Sequence, residues 1–204
     1  MAGLDPARVR ANLERVRERI GDRVEICAAV KYVDAADLPA LAEAGVTLVG
    51  ENRAQELIPK QDAHGDLFEW DFIGALQSRK VKDVAPRVRL IHTVASDSAL
   101  AQLEKHPARQ LLVQVNVAGE DGKAGIAPEN LADFVARCPF PVAGLMTMPP
   151  STENPEESRP HFARLAELAA EHGLKRLSMG TSQDYGVAVE EGATIVRLGS
   201  VLYD

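Results

Sequence analysis

A compact (β/α)8 barrel of the TIM type, with an extra helix ahead of its first strand, is the fold this sequence predicts. Two observations carry the prediction. Eight short apolar segments alternate with amphipathic stretches rich in Ala, Leu and Glu, the rhythm of right-handed βαβ crossovers and a parallel sheet. The chain has 204 residues, 46% apolar and 26% charged, enough for one well-buried core. Eight strands are the number that closes such a barrel, and since typical barrels run to about 250 residues, the loops here must be short. Residues 1–204 read as one barrel domain with no linker, and 149–155 (PPSTENP) as a long βα loop. Pattern alone leaves an open doubly wound sheet as the alternative.

The elements follow in order. Asp5 is placed to N-cap a helix that begins at Pro6, carries the stripe Val9, Leu13, Val16 and Ile20, and stops at Gly21. Strands are expected at 24–30, 46–49, 70–73, 88–92, 110–117, 142–145, 176–179 and 194–198. Helices are expected between them, at 35–44, 96–106, 129–137, 156–172 and 183–190.

Composition excludes several classes of function. Net charge is −7, from 23 basic and 30 acidic residues, so no global positive field draws nucleic acid. No apolar run approaches the roughly 18 residues of a membrane span, and the opening MAGLDPARVR lacks a signal-peptide core. A cytoplasmic, reduced protein without membrane or nucleic-acid partners is the expectation. Cys27 and Cys138 stand in unrelated contexts and make neither a disulfide framework nor a zinc site. The five histidines lack metal-ligand spacing and most are expected at the surface or in packing, while His92 is among the residues at the strand C-termini where a barrel carries its chemistry. Neither a nucleophile elbow nor a Gly-rich nucleotide loop is present.

In a parallel barrel, chemistry belongs on the loops after the strand C-termini. Lys31 ends the first strand, where alternation puts Cys27, Ala29 and Lys31 on one face and Ile26, Ala28 and Val30 on the other. A lysine aimed into the mouth above small residues could lose its proton by desolvation and form an imine; the bland reading is a solvated strand-end lysine. Ser178-Met179-Gly180-Thr181-Ser182 precedes a helix, and Gly199-Ser200 follows the last strand. Loops seven and eight are where barrels frequently hold phosphate, although Ser and Gly also simply build turns. Arg197 lies in an otherwise apolar strand, so it either pairs with a structural carboxylate or faces a ligand.

The motifs Ala29-Val30-Lys31, Gly50-Glu51-Asn52-Arg53-Ala54-Gln55-Glu56, Trp70 to Lys80, Gly144-Leu145-Met146, Leu177 to Ser182 and Val196 to Ser200 stand in the chain in that order. Together they resemble the pyridoxal phosphate homeostasis protein family, barrel proteins similar to the alanine racemase N-terminal domain. The resemblance runs from about residue 8 to the end. It implies that Lys31 carries pyridoxal 5′-phosphate covalently as an internal aldimine. It also implies that Ser178, Gly180, Gly199 and Ser200 surround the phosphate, that Asn52 lies near the ring, and that Arg197 faces the pyridine nitrogen. Met146 and Ser182 complete the cofactor-binding set. The implied role is cofactor binding and buffering by a monomer with little catalysis of its own, with apo forms of pyridoxal phosphate enzymes as recipients. The chain departs from the family pattern at Val30 (usually Ser), Asp71 (usually His), Arg79 (usually Asn), Thr181 (usually Met) and Tyr203-Asp204 (usually Phe-Gly). A small racemase and a Schiff-base aldolase acting through Lys31 are the competing readings.

Overall fold

The computed structural model describes residues 3–204. The chain runs α1 (Pro6–Ile20), β1 (Glu25–Ala29), α2 (Leu38–Glu43), β2 (Leu48–Glu51), α3 (Ala54–His64), β3 (Glu69–Phe72), α4 (Val81–Val84) and β4 (Leu90–Val94). It continues through α5 (Asp97–Leu103), β5 (Leu111–Gln114), α6 (Leu131–Ala136), β6 (Gly144–Met146), α7 (Arg159–Glu171), β7 (Arg176–Ser178), α8 (Tyr185–Glu190), β8 (Ile195–Leu198) and α9 (Ser200–Tyr203). Each strand pairs in parallel with the next, and β8 returns to pair with β1, with Cys27 opposite Arg197. That closure excludes the open doubly wound sheet.

Every expected strand is present, with its ends moved by up to three residues. The largest shift is in β5, which stops at Gln114 rather than 117. The loop after it folds back there, and the Asn116 N–H takes the Ile126 carbonyl at 3.0 Å. Helix α1 forms as expected: the Asp5 carboxylate accepts the Ala7 N–H at 3.0 Å, and Gly21 ends the helix at φ 73°. Val9, Val16 and Ile20 bury the stripe, and so does Asn12, which donates from Nδ2 to the Leu202 carbonyl at 3.0 Å. That bond ties the first helix to the last. None of the helices among the described residues is long and apolar enough to cross a membrane.

The side chains divide into two apolar shells. Ile26, Ala28 and Val30 join the larger shell between sheet and helices. Cys27, Leu48, Ile73, Leu90, Leu112, Met146 and Ile195 fill the lumen, with Ala29 packed against them. The alternation read along the first strand therefore holds, and its small residues do face the lumen.

Candidate functional site

The C-terminal rim of the barrel is braced by one buried ion pair. Glu51 ends β2 and Lys60 lies one turn before the end of α3; they are 0% and 4% exposed. Lys60 Nζ donates to Glu51 Oε2 at 2.6 Å and to the Val30 carbonyl at 2.7 Å. The other Glu51 oxygen accepts the N–H groups of Asn52 (2.6 Å) and Arg53 (3.1 Å). Two more bonds fix Val30: its N–H donates to the Gly50 carbonyl, and the Val33 N–H returns to its own carbonyl. The third loop presses on the second so closely that a Cβ at Gly74 would overlap the Asn52 carbonyl. Within this rigid rim Asn52 Oδ1 is buried without a hydrogen-bond partner.

Of the two readings of Lys31, the side chain here takes the solvated one. Strand β1 ends at Ala29, and Lys31 leaves it in the following turn, exposed to solvent. Its Nζ lies 4.7 Å from the centroid of the Tyr32 ring, a cation–π contact. Burial therefore does not desolvate this ammonium. What the sequence reading did place rightly is its root, directly after the pinned Val30.

Inside the lumen a polar chain runs from the N-terminal end of the barrel to its mouth. Arg89, just before β4, pairs with Asp71 of β3 through Nε (3.0 Å) and Nη2 (2.7 Å), and also with Glu25. Asp71 Oδ2 meets His92 Nε2 at 3.0 Å, and His92 Nδ1 meets Ser178 Oγ at 2.7 Å. Ser178 Oγ accepts from Arg197 Nη1 at 2.5 Å. Arg197 Nη2 continues to the Thr147 carbonyl (3.0 Å) and Met148 Sδ (2.8 Å). Asp71, His92 and Ser178 are each 0% exposed.

Charges along the chain follow from these contacts. Burial alone would raise the Asp71 carboxyl, but hydrogen bonds from His92 and Arg89 outweigh it and hold the pKa below the ordinary value. Burial pushes His92 down, with Arg197 and Arg89 acting the same way against the pull of Asp71. Burial also brings Arg197 down to about 10, so it is cationic at neutral pH. Of the two readings left open for Arg197, the structural carboxylate finds no support. Its partners are a hydroxyl, a carbonyl and a thioether, and it makes no ion pair among the described residues.

The loops after β7 and β8 meet at Ser182. Gly180 takes φ +91°, a left-handed conformation that favours glycine, and turns the chain after Met179. Ser182 Oγ accepts the N–H groups of Gly199 (3.0 Å) and Val201 (3.3 Å), so two amides already converge on one oxygen. A Cβ at Gly199 would meet nothing nearer than Ala29 Cβ at 3.9 Å, which leaves open space over this cradle. Helix α8 starts at Tyr185 rather than 183, because Asp184 is not helical (φ −129°) and its carboxylate accepts the Thr181 N–H at 2.7 Å. The helix N-terminus therefore lies two residues later than expected, and the Asp184 carboxylate at its N-cap position makes no capping bond to the helix.

The structure thus links Ser178 to Arg197, ties Ser182 to the N–H groups of Gly199 and Val201, and sets Asn52 in the braced rim beside the strand that leads to Lys31. Met146 lies in the lumen core, 2% exposed. His92, one of the residues selected at the strand C-termini, is a buried member of the lumen chain with both ring nitrogens engaged. Arg89 and Lys60 escaped the sequence reading, and Asp71 entered it only as a departure from the resemblance, without a role. An acidic or basic residue at a lumen-facing strand position was the available signal, and Asp71 carried it as a departure from the family pattern.

Comparison with known proteins agrees with this geometry. The profile of the alanine racemase N-terminal domain matches residues 4–204. The pyridoxal phosphate homeostasis protein of Aquifex aeolicus is 41% identical over 217 residues, covering 97% of this chain and 95% of the relative. The protein of that name in Pseudomonas aeruginosa is 35% identical, covering 97% and 92%. Among solved structures, PipY of Synechococcus elongatus is 30% identical and covers 96% of this chain and all of its own. It superposes with a TM-score of 0.87 without PLP and 0.84 with PLP bound. This chain belongs to the pyridoxal phosphate homeostasis protein family, whose barrel is that of the alanine racemase N-terminal domain.

Proposed function

We propose that the barrel mouth binds pyridoxal 5′-phosphate, and that the protein serves homeostasis of this cofactor by holding it and handing it to apo-enzymes. The observation that carries this reading is Arg197, cationic, 5% exposed and bonded only to neutral atoms. A buried charge without a counter-charge is costly, and an acceptor or anion entering the mouth offsets that cost. The rest of the site fits the same ligand. Asn52 offers an unpartnered buried acceptor, and Gly199 a cradle that a larger side chain would fill.

When bound, the cofactor supplies an aldehyde that condenses reversibly with an amine and a ring that withdraws electrons. In this reading Lys31 Nζ is the amine. Val30 roots it, and its solvated side chain is free to turn into the mouth or release its load. Arg197 faces the pyridine nitrogen, where a group with five donors and no acceptor cannot take up a ring proton. That keeps the ring a weak electron sink and favours storage over turnover. Gly180, Ser182, Gly199 and Ser200 hold the phosphate, Asn52 lies beside the ring, and Met146 closes the apolar floor. Ser178 serves through Arg197, since its hydroxyl is already engaged in the lumen.

The test is covalent mapping. Loaded protein should absorb in the visible, and after borohydride reduction and digestion the pyridoxyl mass should sit on Lys31. Lys31→Ala should stay colourless. An adduct mainly on Lys80 or Lys123 overturns the assignment. Mixing loaded protein with an apo-enzyme should transfer the colour, whereas amino-acid turnover near 10 per second, ordinary for enzymes, would overturn the carrier reading.

A further inference from the structure

We propose that Asp71, His92 and Ser178 are positioning residues: a one-way hydrogen-bond chain that holds Arg197 as a donor to the pyridine nitrogen of bound pyridoxal 5′-phosphate. The inference rests on the cofactor reading above and goes beyond it, because none of the three need touch the ring.

The direction of the chain is forced by its donor and acceptor inventory. Asp71 is ionised, so its oxygen only accepts, and the facing His92 Nε2 must carry the hydrogen. His92 is neutral, so Nδ1 has no hydrogen and accepts from the Ser178 hydroxyl. Arg197 has donors only, so the Ser178 oxygen accepts from Nη1. Every donor therefore points away from the mouth toward Asp71, whose charge Arg89 fixes from below through two bonds. The guanidinium has a single hydroxyl to lean on at Nη1 and is oriented by it. All members are buried, and buried polar chains strengthen one another.

A chain that merely fills the lumen would look the same, so the experiment must separate packing from a task at the ring nitrogen. Two ligands do so: pyridoxal 5′-phosphate, and its analogue with C–H in place of the ring nitrogen, which keeps aldehyde and phosphate. Equilibrium dissociation constants are read by absorbance or intrinsic fluorescence. Ser178→Ala should weaken the natural cofactor roughly tenfold, the size of one charge-assisted hydrogen bond, and the analogue by less than about twofold. Asp71→Asn keeps the side-chain shape but removes the charge that ends the chain, so the His92 N–H that fixes the imidazole tautomer is held more weakly. It should weaken the natural cofactor about threefold and leave the analogue unchanged.

Equal losses for both ligands would assign the Ser178 hydroxyl to phosphate or packing and overturn the proposal, as would unchanged affinities in both variants. A wild-type protein that prefers the natural cofactor over the analogue, with variants that keep the same preference, sinks the chain alone. A wild-type protein that binds neither ligand sinks the cofactor reading and this inference together.

Discussion

Lys60 is the residue on which the rim depends. Its ammonium joins the Glu51 carboxylate to the Val30 carbonyl, so it holds the second strand's end against the root of Lys31. Removing it leaves a carboxylate at 0% exposure without a counter-charge. Lys60→Met should therefore lower unfolding stability by about 3 kcal/mol, read from urea denaturation. Adding Glu51→Gln should recover part of that loss, since the orphaned charge is then gone. A double mutant no more stable than Lys60→Met would show that the pair contributes packing alone. Arg197 makes the complementary point at this scale. Its Thr147 and Ser178 partners lie 50 and 19 residues away, so no reading of its own strand could choose between a carboxylate and a ligand.

The two loops after β7 and β8 are the elements that should bind phosphate, and two glycines in them fail in different ways. Gly180 needs its left-handed φ, and a Cβ there would lie 2.6 Å from Ala188 Cβ. Gly180→Ala should lower stability by about 2 kcal/mol and weaken cofactor binding as well, because the loop that carries Ser182 must move. Gly199 has open space around a Cβ, so a side chain there meets no atom closer than ordinary contact. Gly199→Val should keep stability within about 1 kcal/mol of wild type while blocking approach to the amides. Ser200→Ala, at an exposed position, should cost less affinity than Gly199→Val. Thermal unfolding and cofactor titration on the three variants check both statements; full affinity in Gly199→Val would refute the cradle.

The barrel as a whole should unfold in acid in two stages set by the lumen. His92 has its folded pKa depressed, so only the unfolded chain takes up the proton as pH falls below its ordinary value near about 6.5. Stability is thus fully present above that value and declines below it. Asp71 is depressed too, so its contribution is present above about 4 and is lost as pH falls through its folded value. The groups that face His92 are Asp71 from β3, Arg89 from the start of β4 and Arg197 from β8, and burial together with the two arginines keeps it neutral against the pull of Asp71. His92→Gln can still donate to Asp71 but does not titrate. Its denaturation midpoint should change less than wild type between pH 6.5 and 5 and still fall below pH 4. Parallel profiles for the two proteins would remove His92 from the first stage.

Much of this molecule was legible in the sequence. Alternation with period two placed Cys27 and Ala29 in the lumen and Ile26, Ala28 and Val30 outside, and a parallel strand keeps that pattern whatever surrounds it. Asp5, Pro6 and Gly21 marked the first helix because caps act within one turn. The motif order led to the family, and the loops after strands seven and eight were located by the chemistry of glycine and serine. Other features waited for the tertiary structure. The first strand ends at Ala29 and Lys31 turns out to solvent, while Val30 is held by Gly50 and Lys60 from a neighbouring strand and helix, contacts that its own segment does not announce. The lumen chain joins β3, β4, β7 and β8, with His92 and Ser178 separated by 86 positions. Periodicity tells which side of a sheet a residue faces. It does not tell which residue meets it across the lumen, because that depends on how the strands stagger when the sheet closes on itself.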